Sequence, residues 1–209
     1  MEELLSFLNA VAVSGGWPLS ARCLDRLRAV IKSTTLKKEE YLLSAGQVCS
    51  NIYFIQTGLL KCYYMLHNKK VSDWFFGPNE TVVSIDSFYD QTPGIDYMQA
   101  LKDSRLFYIS YEEYDHLFRT FVEFNVVGRI LTNKYLRVWH VHARNIRRLT
   151  KYERYLYLLE HQPDLINDVP VQDVASYLDM APATLSRMRG RIVNPSRSTR
   201  RRSDIPGRR

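Results

Sequence analysis

The sequence predicts an α+β chain in three parts: an N-terminal antiparallel, double-stranded β-roll, one long connecting helix and a C-terminal helix-turn-helix. Three observations predict it. Residues 36–110 break into short runs rich in Ile, Val, Tyr and Phe, punctuated by Gly46, Gly58, His67-Asn68 and Gly77-Pro78-Asn79. That spacing is the pattern of short antiparallel strands. Beyond residue 110 the apolar repeat lengthens to between three and four residues, the helical period. Residues 171–191, VQDVASYLDMAPATLSRMRGR, then place a small residue, a turn residue and a basic face at the spacing of two crossing helices.

The elements follow in order. The opening MEELLSFLNAVAV is mildly apolar but begins with Glu2 and Glu3, whereas a secretory signal needs positive charge there. It reads as a short amphipathic helix. Residues 90–96, DQTPGID, read as a loop, and two further short strands are expected around Gln99 and over residues 106–109. Residues 111–121 read as a short helix and residues 126–149 as a long one. Along the latter, Val127, Leu131, Lys134, Val138, Val141, Asn145 and Leu149 recur at spacings of three and four. Lys134 and Asn145 interrupt this heptad-like stripe, which would pack on its own domain or on its twin in a homodimer. Thr150-Lys151-Tyr152-Glu153 is a capping box. A new helix should start at Tyr152, run through Leu159 and stop before Pro163.

Within residues 171–191, Ala175 falls where two helices touch and only a small side chain fits. Val174, Leu178, Met180, Leu185 and Met188 fall at the apolar core positions. Asp179 stands at the turn, where the backbone needs a positive φ that Asp tolerates better than most residues. Pro182 suits the first turn of the second helix. Thr184, Ser186, Arg187, Arg189 and Arg191 remain polar and can face a major groove. Charge agrees. The chain carries a formal net charge of +7, yet residues 1–186 hold 20 basic and 21 acidic groups, while nine arginines and one acid, Asp204, follow. A positive charge concentrated at such a motif is the footprint of a phosphate-binding surface.

Other classes lack support. Cys23, Cys49 and Cys62 are odd in number and form no CxxC pair, so neither a zinc site nor a disulfide framework is expected. A reducing, cytoplasmic setting follows. No apolar run is long enough for a membrane span. A metalloenzyme of the cupin type needs histidines on neighbouring strands, but of His67, His116, His140, His142 and His161 only His67 lies in the expected roll. His140 and His142 would sit on a helix at a spacing that does not share a face. No P-loop or GxGxxG is present, and no activity as an enzyme is expected. The competing reading is a ligand- or partner-sensing module that uses its C-terminal helices for docking rather than for DNA.

The roll segment IYFIQTGLLKCYY, the junction TKYERYLYLLEHQPDL and the reader VPVQDVASYLDMAPATLSRMR together resemble the Crp/Fnr family of bacterial transcription factors, in the style of its Bacteroidetes branch. The resemblance covers residues 30–192. It implies a homodimer, a cyclic-nucleotide-binding-like sensor domain, promoter DNA as partner and RNA polymerase as a further one. The implied division is a sensor over residues 1–121, a connecting and dimerisation helix over 122–149, a helix-turn-helix domain over 150–192 and a basic, disordered tail over 193–209.

The departures from the family pattern are as informative. Members that bind cyclic AMP hold the ribose with a Gly-Glu pair and the phosphate with an Arg-Ser pair. Those pairs fall here on Val83-Ser84 and Gly94-Ile95, and the polar pair that meets the adenine falls on Trp139-His140. No arginine lies between Val71 and Ser104. Burying a cyclic phosphate without a cationic partner is unfavourable, so cyclic AMP is not expected as effector. No haem or iron–sulfur cofactor is expected either, the latter because an N-terminal cysteine cluster is missing. Trp74, Phe75, Phe76, Phe88, Tyr89 and Tyr97 make the region strongly aromatic, as core residues or, alternatively, as the wall of a site for an apolar effector. In the reader, the family's base-reading Glu position is Ala183, its Arg position is Arg187, and Thr184 takes the place of a phosphate contact. The β-hairpin wing that usually follows is missing or replaced by a basic arm, the segment VNPSRSTRRRSDIPGRR.

Overall fold

Eight short runs of β-branched and aromatic residues pair into two antiparallel sheets. The computed structural model describes residues 1–193, with side chains described through Gly190. One four-stranded sheet has the order β1 (Lys32–Leu36), β8 (Ser104–Ser110), β3 (Asn51–Thr57), β6 (Thr81–Val82). The other has the order β2 (Tyr41–Leu43), β7 (Tyr97–Ala100), β4 (Leu60–Leu66), β5 (Lys69–Phe76). This is the antiparallel roll that the turn spacing predicts. The β4–β5 hairpin turns at His67 and Asn68, with φ of 47° and 61°. Two consecutive positive φ values match the right-handed twist of the flanking strands. Midway along this hairpin the register slips: Tyr63 faces Ser72 and Cys62 faces Trp74. Asp73 is the extra residue of a β-bulge.

Two helices precede the roll. α1 (Glu2–Ser14) is the expected amphipathic helix. α2 (Ala21–Val30) is capped by the Ser20 hydroxyl, which accepts from the Cys23 amide, and buries Cys23, Leu27 and Val30. Both pack with α4 (Tyr111–Thr120) and the start of α5 (Val122–Arg148) against one face of the first sheet. The core there joins Leu5, Leu27, Phe107, Leu117, Phe124 and Val127. β1 begins at Lys32, ahead of the β-rich stretch that starts at residue 36, because its partner β8 extends the pairing to Lys32↔Tyr108.

Two corrections concern helices. A short helix, α3 (Ile85–Asp90), interrupts the stretch read as strands and loop; Ser84 enters it in an extended conformation and Gln91 ends it in the left-handed region. The long helix begins at Val122, four residues before the expected start, because Phe124, Val126 and Val127 are all buried in its first turns. The apolar stripe divides. Val127 is buried and Leu131 packs on the same core, while Lys134 and Val138 are exposed. Its first half is spent on its own domain.

The chain forms two compact units that divide between Ala143 and Arg144. In the second, the capping box is present in full. The Thr150 hydroxyl accepts from the Glu153 amide, and the Glu153 carboxylate accepts from the Thr150 amide. It opens α6 (Lys151–His161). From Pro163 the chain forms a further short helix, α7 (Pro163–Asp168), for which no local pattern in the sequence gives a signal. α8 (Val171–Tyr177) and α9 (Pro182–Val193) complete the unit. The basic segment 194–209 lies outside the described residues.

Candidate functional site

The α8–turn–α9 pair has the geometry that the residue spacing predicts. Ala175 is fully buried between the helices, with Val174, Leu178, Met180 and Leu185 around it. Met188 is half-buried. Asp179 adopts φ 52°, the left-handed conformation expected at the turn. Its amide donates to Ser176, and that of Met180 donates to Ala175. Pro182 opens α9, where its missing N–H removes no helical bond.

A residue outside the motif holds this turn. Arg154 of α6 is almost wholly buried. Its Nη1 donates to the Leu178 carbonyl at 2.6 Å and its Nε to the Leu149 carbonyl at 3.3 Å. Asp179 lies 3.5 Å away as an exposed counter-charge. One guanidinium thus joins the end of the long helix to the turn. The signal in the sequence was an arginine on the apolar side of a helix, next to Tyr155 and Leu158, where a charge is rarely buried without partners.

The polar residues of α9 do not share one face. Ala183, Ser186, Arg187 and Gly190 are exposed and lie at spacings of three and four, so they line one side of the helix. The Arg187 Nε donates to the Ala183 carbonyl at 3.2 Å, which lays the guanidinium along that side. Thr184 is half-buried. Arg189 turns away, is half-buried, and donates to the Ile166 carbonyl of α7 at 3.1 Å. The Arg191 side chain lies outside the described residues.

The first unit contains a cavity of about 650 Å³ between the roll and α5. Val83, Ser84, Gly94, Ile95 and Trp139 all line it, so the structure brings these five predicted pocket residues together. His140 is the exception. It is exposed and not part of the lining, because consecutive residues of a helix point about 100° apart. Ser84 is buried, and its hydroxyl donates to the Asp96 carboxylate at 2.5 Å. At Gly94 a Cβ would stand 2.9 Å from the Ser87 Cβ and 3.2 Å from the Ser84 hydroxyl, so the packing leaves no room for a side chain. Of the aromatic residues, Trp74, Phe75 and Phe88 are core, while Trp74, Phe76 and Tyr89 contribute to the cavity wall. The Trp74 and Trp139 rings stand 6.3 Å apart, tilted by 48°.

The charges of this cavity were not legible as a site. Asp73, Asp86 and Asp96 line it, and no Lys, Arg or His does. Burial pushes the Asp73 carboxyl above its usual range, and the nearby Asp96 charge pushes it further the same way. The bulge explains the placement. Trp74 and Phe76 of β5 alternate onto the cavity side, and the slip at Asp73 brings a residue from the opposite side into the same lining.

Residues 33–121 match the cyclic nucleotide-binding domain family. No curated protein sequence matches the chain. Solved structures do, at low identity. FixK2 from Bradyrhizobium japonicum superposes with a TM-score of 0.67 at 18% identity, over 79% of this chain and 86% of that one. The c-di-GMP-responsive regulator CLP from Xanthomonas campestris gives 0.64 at 16% identity, over 84% and 93%. A transcriptional regulator of the Crp/Fnr family from Eubacterium rectale gives 0.66 at 14% identity, over 84% and 85%. The chain therefore shares the fold of these solved structures, with residues 33–121 similar to the cyclic nucleotide-binding domain family.

Proposed function

We propose that the chain is a sequence-specific, DNA-binding transcription regulator of the Crp/Fnr type, acting as a homodimer in the cytoplasm and not as an enzyme. One observation carries the reading. α8 and α9 cross through a left-handed turn at Asp179 and present Ala183, Ser186, Arg187 and Gly190 on one exposed side. Such a side fits a major groove, with Arg187 able to reach guanine O6 and N7 and Ala183 able to meet a thymine methyl. Ser186 adds a hydroxyl on the same side, and Thr184 and Arg191 are assigned to the flanking phosphates, while Arg189 is engaged with the Ile166 carbonyl of α7. The arginines from 197 onward add sequence-independent attraction. The dimer reading draws on α5, where Leu136 and Val138 are exposed apolar residues on a helix of 27 residues. Among the described residues no helix is long and apolar enough to cross a membrane.

A gel shift with a salt titration tests the reading: affinity should fall steeply as salt rises. Arg187→Ala should lower specific binding by about 1–3 kcal/mol and relax the preference at one base pair. Unchanged affinity and preference, with the fold intact, would show that α9 is not the reader.

The sensor should not use a cyclic nucleotide. The phosphate would meet Asp73 and Asp96 in place of an arginine, and each lost charge-assisted contact costs about 1.5–3 kcal/mol. Calorimetry should detect neither cyclic AMP nor cyclic GMP, and Gly94→Arg should not restore binding because Ser84 and Ser87 fill the space of its Cβ. Tight binding of either nucleotide to the wild type would overturn this account of the pocket.

A further inference from the structure

The cavity in the first unit has a chemical character of its own. Its charged lining is wholly acidic: Asp73, Asp86 and Asp96. Asp73 and Asp96 lie close enough for the charge on one to oppose ionisation of the other. Asp96 is held by the Ser84 hydroxyl, so its carboxylate has a fixed orientation. Asp73 reaches the lining only through the bulge in β5, a feature that costs regular pairing.

The rest of the wall is mostly aromatic and apolar, with the hydroxyls of Thr81, Ser84 and Thr132 among it. Trp74, Trp139, Tyr64, Phe76 and Tyr135 line it. Trp139 is 45% exposed and Ile95 is 69% exposed, so large apolar groups stand uncovered beside the carboxylates. The electron-rich face of an indole attracts a cation within about 6 Å of its centre. Two indoles set at an angle, with two carboxylates nearby, combine cation–π attraction with full counter-charge. A metal ion fits the site poorly. Among the described residues no group of three or more His, Cys, Asp or Glu could hold one. An anion fits worse, since no basic side chain lines the cavity.

We propose that this cavity binds a small organic cation, an amine carried on an aromatic or apolar body, with Asp73 and Asp96 as its counter-charges and Trp74 and Trp139 as its walls. The ammonium relieves the repulsion between the two carboxylates, and the apolar body covers Trp139 and Ile95. The inference rests on reading the roll as the sensor of a regulator, and it names the class of effector. It also accounts for the changes at Gly94 and Ser84: a site for a cation has no use for an arginine, and the Ser84 hydroxyl supports a carboxylate instead.

The test uses the full chain. Calorimetry is run with 2-phenylethylamine, tryptamine and phenyltrimethylammonium, and with 2-phenylethanol and 3-phenylpropanoate as neutral and anionic counterparts. At least one of the cations should bind, with the alcohol at least about tenfold weaker and the carboxylate undetectable. Asp73→Asn and Asp96→Asn should each weaken the cation by about tenfold. Trp139→Ala, on the helix surface, should weaken all apolar-bodied ligands. A thermal melt shows which variants keep the fold, and Trp139→Ala still reports if an aspartate variant does not. The proposal is overturned if none of the three cations binds, if the alcohol binds as well as the amine, or if no folded variant changes the affinity. A parallel gel shift separates the two readings: DNA binding without cation binding sinks the effector class alone, and absence of DNA binding sinks the regulator.

Discussion

Arg154→Leu should destabilise the C-terminal unit by about 2–4 kcal/mol and remove DNA binding at ordinary protein concentrations. The Arg154 guanidinium is buried and donates to the carbonyls of Leu178 and Leu149. Leucine has nearly the volume but no donor. Each carbonyl left buried without a partner costs about 1–3 kcal/mol. Relief from burying a charge offsets part of that loss. Asp179 adds little, because it is exposed and its attraction to Arg154 is screened by water. The effect should be concentrated in one place. Leu178 directly precedes the left-handed Asp179, so losing the donor frees the turn that sets α9 against α8. Hydrogen exchange checks this: amides of α8 and α9 should lose protection while those of the β-roll keep theirs. Arg154→Lys can reach one carbonyl but not both, and should fall between the two. Protection unchanged in α8 and α9 for Arg154→Leu would mean that the guanidinium does not hold the turn.

What was legible in the sequence was local. Asp179 announced its backbone conformation, Thr150 and Glu153 their capping box, and His67-Asn68 their hairpin, because each signal lies within a few residues of the structure it makes. α3 and α7 have six residues each, too short to stand on propensity alone. α2, with ten, is fixed by the burial of Cys23, Leu27 and Val30. For these elements the deciding interactions are tertiary. The site follows the same division. Val83, Ser84, Gly94, Ile95 and Trp139 were found from their positions in a family pattern, and they do converge. Asp73 was missed because a strand alternates, and only the slip between β4 and β5 brings it into line with Trp74. His140 and Arg189 were included because they are polar and adjacent to the right residues, yet the helical period turns one outward and the other toward Ile166. Residue type points to chemistry; register decides which groups meet.

Gly58→Ala should cost the β-roll about 3–5 kcal/mol, a large share of the stability of a domain this size. Gly58 adopts φ +111°, a conformation that L side chains rarely take, in the turn from β3 to β4. Holding a non-glycine residue there costs about 1–3 kcal/mol. A second cost is steric. An added Cβ would stand 2.5 Å from the Ser104 Cβ and 2.6 Å from its Cα, and would also overlap its hydroxyl. A contact with backbone cannot be relieved by a change of rotamer, and overpacking of this kind costs about 1–3 kcal/mol more. The turn cannot shift cheaply, since the Leu59 carbonyl accepts from the amides of Leu101 and Lys102 at 2.8 and 3.3 Å. Ser104 is itself buried and tied to the Lys102 carbonyl. Gly46→Ala separates the two costs. Gly46 has φ +86° but nothing within 4 Å of its Cβ position, so only the conformational cost applies, about 1 kcal/mol or somewhat more. Denaturant unfolding of the two variants should therefore differ by about 2 kcal/mol or more. Equal losses would show that the Ser104 backbone yields. Because pairing with β4 sets the bulge that turns Asp73 into the same lining as Trp74, a roll that survives Gly58→Ala with β4 displaced should also lose the cavity's arrangement of these two residues.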